Sequence, residues 1–157
     1  MKIKKHAFIE CELKIDGITL LSIEEYEACR EYIPPLNDLW WLRSPGRKMV
    51  HDAVNVAYGL VDGYGLNVES DLAVRPALKI TDIKSAKLKL GGKFDLFGYT
   101  WTVISDSLAL CDSSIGRFHF RSYWRAEDAN DYEASNVKKY VEGWLAEQMT
   151  KVEANAE

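Results

Sequence analysis

The chain has 157 residues, with 20 basic and 24 acidic side chains and a formal net charge of −4. Hydrophobic residues make up 47% and charged residues 28%, which excludes a disordered chain, a collagen-like repeat and a disulfide framework. At this length folding can bury roughly 68–70% of the unfolded surface, enough for a core without covalent staples.

Met1 to His6 supplies a positive flank, but Ala7-Phe8-Ile9 is interrupted by Glu10 and Glu12, so no signal peptide is expected. No apolar run approaches the roughly 18 residues that suggest a membrane span, and no membrane partner is expected. Cys11, Cys29 and Cys111 are dispersed and odd in number. That fits a cytoplasmic, reducing setting and predicts neither a zinc site nor a disulfide.

Lys2 to Ile15 reads as a strand, Asp16-Gly17 as a turn and Ile18 to Leu21 as a short β run. Ser22 and Glu25 form a capping box that predicts a helix over 23–32, closed by Pro34 and Pro35. Trp40 to Arg43 follows as a strand ending at Ser44-Pro45-Gly46. Ala53 to Val61 and Tyr64 to Val68 predict a hairpin turning at Asp62-Gly63. Val74 to Ile80 contains Pro76, which predicts an edge or bulged strand. Lys84 to Lys93 ends in Gly91-Gly92 and reads as a linker. Strands are then expected around Trp101, at Leu108 to Cys111 and around Phe118. The apolar positions Val137, Tyr140, Val141, Trp144, Leu145 and Met149 predict a C-terminal helix capped by Ser135.

Chemistry-bearing residues are sparse. His6, His51 and His119 are isolated, and only His51 has a neighbouring carboxylate, Asp52. Asp62, Glu69 and Asp71 lack the dense oxygen-ligand spacing of a calcium loop, so no metal is expected. Gly59, Gly63 and Gly65 lie in a hairpin and do not open a helix, which excludes a phosphate cradle; no cofactor is expected. Arg117, His119, Arg121 and Arg125 could meet an anion. The acidic net charge and nearby Glu127, Asp128, Asp131 and Glu133 argue against nucleic acid as partner.

More specific are Trp40-Trp41-Leu42-Arg43-Ser44-Pro45-Gly46 and Val74-Arg75-Pro76-Ala77-Leu78. With Leu20 to Glu27, Phe97 to Val103 and Asn130 to Ser135, they resemble a domain of unknown function found in Firmicutes and their phages. The resemblance implies a C-type-lectin-like fold, the framework of formylglycine-generating enzymes and of phage variable receptor-binding proteins. In many cellular relatives the Trp-Thr-Val half precedes the W-W-L-R-S-P-G half; here it follows, an order resembling a circular permutation. The formylglycine-generating relatives work through late cysteines, whereas the last 40 residues here contain none.

The expected fold is therefore α+β: a C-type-lectin-like mixed sheet with a strand-rich second half and a C-terminal helix. Its expected parts are 1–82, a linker at 83–92, and a β-meander with the helix at 93–157, packed on the first half. Arg43, Arg75, Trp40 and Trp101 are read as structural, each arginine's fork satisfied by backbone carbonyls or a carboxylate; anion recognition is their other reading. The segments Arg47 to Asp52 and Tyr64 to Asp71 are read as displayed loops, with Arg47, His51, Tyr64, Asn67, Glu69 and Asp71 as the binding residues. The functional expectation is a phage- or prophage-type, non-enzymatic module that recognises a protein or other surface ligand. It would act in the host cytoplasm or on the phage particle, with self-association left open. The other readings are a small inhibitor of a host defence enzyme and a cryptic hydrolase or metal-dependent enzyme.

Overall fold

A computed structural model describes residues 2–3, 13–82 and 88–155. His6, Cys11 and the first half of the expected linker lie outside the described residues. Strand β1 (Lys2–Ile3) pairs with β2 (Leu13–Thr19). The turn expected at Asp16-Gly17 is not one. β2 runs through it, and the register against β7 (Ala77–Asp82) shifts between Ile15 and Gly17. A bulge takes up one residue without reversing the chain, and the Asp16 carboxylate accepts a hydrogen bond from Thr81 Oγ1.

Helix α1 (Ile23–Cys29) starts at the expected capping box: Glu25 N–H donates to Ser22 Oγ at 3.1 Å and Ser22 N–H to Glu25 Oε1 at 2.9 Å. A 3-10 turn at Arg30–Tyr32 ends it ahead of the prolines. β3 (Leu39–Pro45) follows, then β4 (Asp52–Ala57) and β5 (Leu60–Asn67).

The β4–β5 hairpin turns at Tyr58-Gly59, four residues before the expected Asp62-Gly63. Both turn residues have positive φ (51° and 83°), the combination of a type I′ turn. Tyr58 is exposed, so its side chain meets little resistance there. Asp62 and Gly63 belong to β5, and the Asp62 carboxylate accepts from Gly65 N–H at 3.1 Å inside the strand. The local turn chemistry of Asp is present, but it shapes a bulge.

β6 (Asp71–Val74) and β7 lie in different sheets, and Arg75-Pro76 is the crossover between them. Pro76 therefore lies in neither strand, and β7 is a central strand, between β2 and β10 (Leu108–Cys111), not an edge. β8 (Lys93–Leu96), β9 (Tyr99–Val103) and β10 form a meander, and β11 (Gly116–His119) crosses to the other sheet.

The sheet orders are β1-β2-β7-β10-β9-β8 and β11-β6-β3-β4-β5. Neighbours are antiparallel except β3 and β6, which run parallel with Trp40 opposite Ala73. Each sheet combines strands from both sides of 83–92. Helix α2 (Asn136–Asn155) closes the chain, and Ser135 Oγ accepts from Lys138 N–H at 3.0 Å, the cap that its sequence position predicts. The protein is α+β: two sheets, a short helix near the N-terminus and a long C-terminal helix.

The side-chain alternation of a strand carries the core. Trp41 points to a cluster with Trp101, Phe94, Phe120 and the α2 residues Val137, Val141 and Leu145. Its neighbours Trp40 and Leu42 point the other way, onto Tyr26, Val54, Val56 and Leu110. β3 is thus buried on both faces. Trp101 is fully buried, and its indole N–H donates to Leu96 O at 3.0 Å. Trp144 of α2 lies against the rings of Phe97, Tyr99 and Trp101. No helix among the described residues is long and apolar enough to cross a membrane.

Candidate functional site

The segment between β3 and β4 is held down by its own backbone. Gly46 N–H donates to Asp52 O at 2.8 Å, and Arg47 N–H to Gly63 O at 3.0 Å. Opposite it, β5 is widened. Asn55 pairs with Asp62 and Ala53 with Leu66, so β5 uses four residues where β4 uses two. Gly63, Tyr64 and Gly65, set opposite the single residue Val54, form a bulge on which the Tyr64 ring is 52% exposed. The Arg47 guanidinium stacks over that ring at 4.7 Å, and Lys48 Nζ lies 5.2 Å from its centre. Neither cation has a carboxylate partner among the described residues.

The span Tyr64 to Asp71, read from sequence as one loop, is mostly strand. Tyr64 to Asn67 belong to β5, Asp71 opens β6, and only 68–70 connect them. Asn67 Oδ1 accepts from Glu69 N–H at 2.9 Å and so shapes this short connection. Val68 N–H donates to His51 O at 2.9 Å, joining it to the 46–51 segment.

A third segment, 121–131, completes the surface. The His51 ring meets Trp124 edge-on at 5.5 Å, and Trp124 N–H donates to Glu69 Oε2 at 3.1 Å. Asn130 Nδ2 donates to Asp52 O at 3.0 Å and Met49 O at 3.3 Å, tying 121–131 to 46–52. Exposed Met49, Val50, Tyr64, Tyr123 and Trp124 thus share one end of the molecule, with Arg125 stacked on Trp124 at 4.7 Å. The sequence signal for this segment is Tyr123-Trp124-Arg125, three residue types enriched at binding hot spots.

Arg47, His51, Tyr64, Asn67 and Glu69 are therefore linked through one set of contacts. Asp71 faces elsewhere: it pairs with His119 across β6 and β11, and its carbonyl accepts from Arg117 Nη2 at 2.8 Å. Arg117 is ion-paired with Asp38 at 2.7 Å and Arg121 with Asp128 at 3.0 Å. Those two charges are neutralised within the protein.

The signature arginines are held differently. Arg75 is 1% exposed and donates to Cys111 O and Pro34 O, both at 2.7 Å, and to Asp112 O at 3.2 Å. It also lies over the Trp40 ring at 4.9 Å. Burial pushes its pKa down to about 10, against the partial support of nearby Cys111 and Asp112. Arg43 is half-buried, donates to Leu20 O at 2.8 Å and pairs with Glu25. It lines an open groove of about 650 Å³ between α1, β3 and residues 130–133.

Burial by itself works to raise the pKa of the Glu25 carboxyl. The hydrogen bond and charge of Arg43, with the Ser22 N–H, outweigh burial and hold it below its ordinary value. The linkage sign follows: Glu25 contributes stability above its unfolded value of 4.5, and this is lost as pH falls through the folded value. Glu25→Gln is expected to melt below the wild type at neutral pH and to converge on it in acid. Melting curves from pH 7 to about pH 3 check this, and a constant gap at every pH would contradict it.

Burial pushes the Cys29 and Cys111 thiols up, so both stay protonated at neutral pH, the opposite of an activated nucleophile. His51 and His119 approach Asp52 and Asp71 at 3.7 and 3.8 Å, outside hydrogen-bond range. Among the described residues no group of three His, Cys, Asp or Glu side chains is placed to hold a metal ion. The chain matches no protein-family model, no curated protein and no solved structure.

Proposed function

We propose that this protein is a non-enzymatic binding module of phage or prophage type, which docks a protein partner through the surface built from 46–52, 64–69 and 121–131. The observation that carries the reading is Tyr64, exposed on the β5 bulge and flanked by two cations that have no carboxylate partner among the described residues. An aromatic ring fixed in advance loses little conformational freedom on binding, and Tyr, Trp and Arg dominate the energetics of protein interfaces. Exposed Met49, Val50 and Trp124 extend the patch with apolar area. His51, Asn67 and Glu69 form its hydrogen-bonded base and rim.

The finer fold reading, a C-type-lectin-like frame, rests on the W-W-L-R-S-P-G and V-R-P-A-L strings. It accords with recognition by loops at one end of a rigid sheet. A protein partner is favoured over nucleic acid by the net charge of −4 and by the internal pairing of Arg117 and Arg121.

The test is comparative enrichment from extracts of the phage-infected host, with immobilised wild type beside the Tyr64→Ala/Arg47→Ala double variant. A stoichiometric protein retained by the wild type and lost by the equally folded variant is the expected result. Identical retention by both would reject the surface.

A further inference from the structure

Away from the loop surface, a cavity of about 180 Å³ opens between α1, the 33–36 segment and the β4–β5 turn. Tyr26 and Trp40 lie on it, edge to face at 5.7 Å, and each carries a guanidinium: Arg30 lies 5.6 Å from the Tyr26 ring centre and Arg75 4.9 Å from that of Trp40. Arg30 Nη2 donates to Gly59 O at 2.9 Å. Arg75 uses Nε and Nη2 on backbone carbonyls, while its Nη1 donates to no acceptor among the described residues. Neither arginine has an ion-pair partner among those residues. Asp112, the acidic residue acting on Arg75, directs its carboxylate to Lys93 and Thr102.

A buried cation without an anion is costly, and such charges are ordinarily paired. Here one is nearly fully buried, keeps a pair of N–H donors unused among the described residues, and lines a cavity that a second guanidinium also lines. Ile33, Leu36 and Val56 supply the apolar wall. We propose that this cavity binds a carboxylate borne on a small apolar group, with Arg75 and Arg30 as its two cationic contacts. The volume corresponds to about six waters at roughly 30 Å³ each, room for a carboxylate with a short aliphatic or single-ring body. Guanidinium recognises the planar carboxylate through paired N–H donors, and partial exclusion of water strengthens the attraction. The apolar wall favours such an acid over inorganic phosphate, whose whole surface is polar. Two sources share this chemistry: a free small acid and the C-terminal residue of a peptide. The inference is independent of the binding-module reading, since Arg47, Tyr64 and Trp124 do not line the cavity.

The experiment follows the Trp40 indole N–H resonance of the intact protein during titration with benzoate, benzamide, N-acetyl-leucine, N-acetyl-leucinamide and inorganic phosphate. At least one carboxylate is expected to bind about tenfold or more tightly than its own amide. Preference for N-acetyl-leucine assigns the site to a chain terminus and preference for benzoate to a free acid. Arg30→Gln, at an exposed helix end, should weaken that binding about fivefold or more without moving the melting temperature; Arg75→Lys, which keeps the charge but not the fork, should weaken it further. Equal binding of acid and amide, phosphate binding as tightly as the acids, an unaltered affinity in Arg30→Gln, or no response up to about 20 mM acid would each overturn the proposal.

Discussion

Arg75→Ala is expected to lose about 3 kcal/mol or more of stability, or to accumulate as insoluble protein. Two effects oppose each other at this residue. Removing a buried cation relieves its desolvation, whose presence is visible in the lowered pKa. Truncation, however, strips hydrogen bonds from the carbonyls of Pro34, Cys111 and Asp112 and leaves a void beside Trp40. Hydrogen bonds from a charged donor are worth about 1.5–3 kcal/mol each, so losing three outweighs the relief. Those carbonyls come from the 33–36 segment and from the end of β10, so Arg75 ties both to the crossover between the sheets. Arg75→Met restores most of the volume without the donors and should recover only the part due to the void. Urea denaturation of the three proteins measures this. An alanine variant within about 1 kcal/mol of wild type would show that the carbonyls find water instead.

The second large effect is expected at Gly65. Its φ is +91°, and a Cβ there would lie 2.4 Å from Ala53 O and 2.7 Å from its carbonyl carbon. Both obstacles are backbone of the neighbouring strand, so the bulge must open to admit a methyl group. Gly65→Ala should cost about 2–4 kcal/mol, combining left-handed strain with the clash. Gly59 provides an internal comparison: its φ is +83°, but no atom of the described residues lies within 4 Å of a Cβ placed there. Gly59→Ala should therefore cost only about 1–2 kcal/mol, the conformational part alone. Opening the bulge would also lower Tyr64 from its place beneath Arg47, so Gly65→Ala should lose partner binding as well as stability. Thermal melts of the pair decide the matter, and equal costs at the two glycines would contradict the account.

What was legible in the sequence is what depends on near neighbours. The Ser22 capping box, the Ser135 cap and the β9–β10 pairing are formed by residues within about a dozen positions of each other. What was not legible depends on the partner strand. Asp16-Gly17 and Asp62-Gly63 carry turn chemistry, yet both lie within strands, because β7 and β4 impose a register that continues through them. Pro76 lacks a ladder donor, and the sequence alone does not say whether it weakens an edge or, as here, separates two sheets.

The proposed binding surface shows the same division. The segments of Arg47 and Tyr64 are grouped from sequence only through the lectin-like resemblance; a turn at Asp62-Gly63 would set Tyr64 beside Val61, and it is the turn at Tyr58-Gly59 with the β5 bulge that brings the ring to Arg47. Trp124 and Asn130 enter through β11, which returns from the meander to pair with β6. That return joins residues more than fifty positions apart, and no local pattern announces it. Asp71 was grouped with the loop residues by its nearness to Glu69, but the strand pairing turns it toward His119.

The most direct measurement is the dissociation constant of the enriched partner for wild type, Tyr64→Ala, Arg47→Ala and Arg117→Gln, each with its melting temperature. The expected result is a loss of more than about 1 kcal/mol, roughly fivefold or more, for Tyr64→Ala and Arg47→Ala with the fold intact. Arg117→Gln, on the β6–β11 face, should bind like wild type. Wild-type affinity in both loop variants, together with loss of binding in Arg117→Gln, would contradict the account and move the interface to the other face.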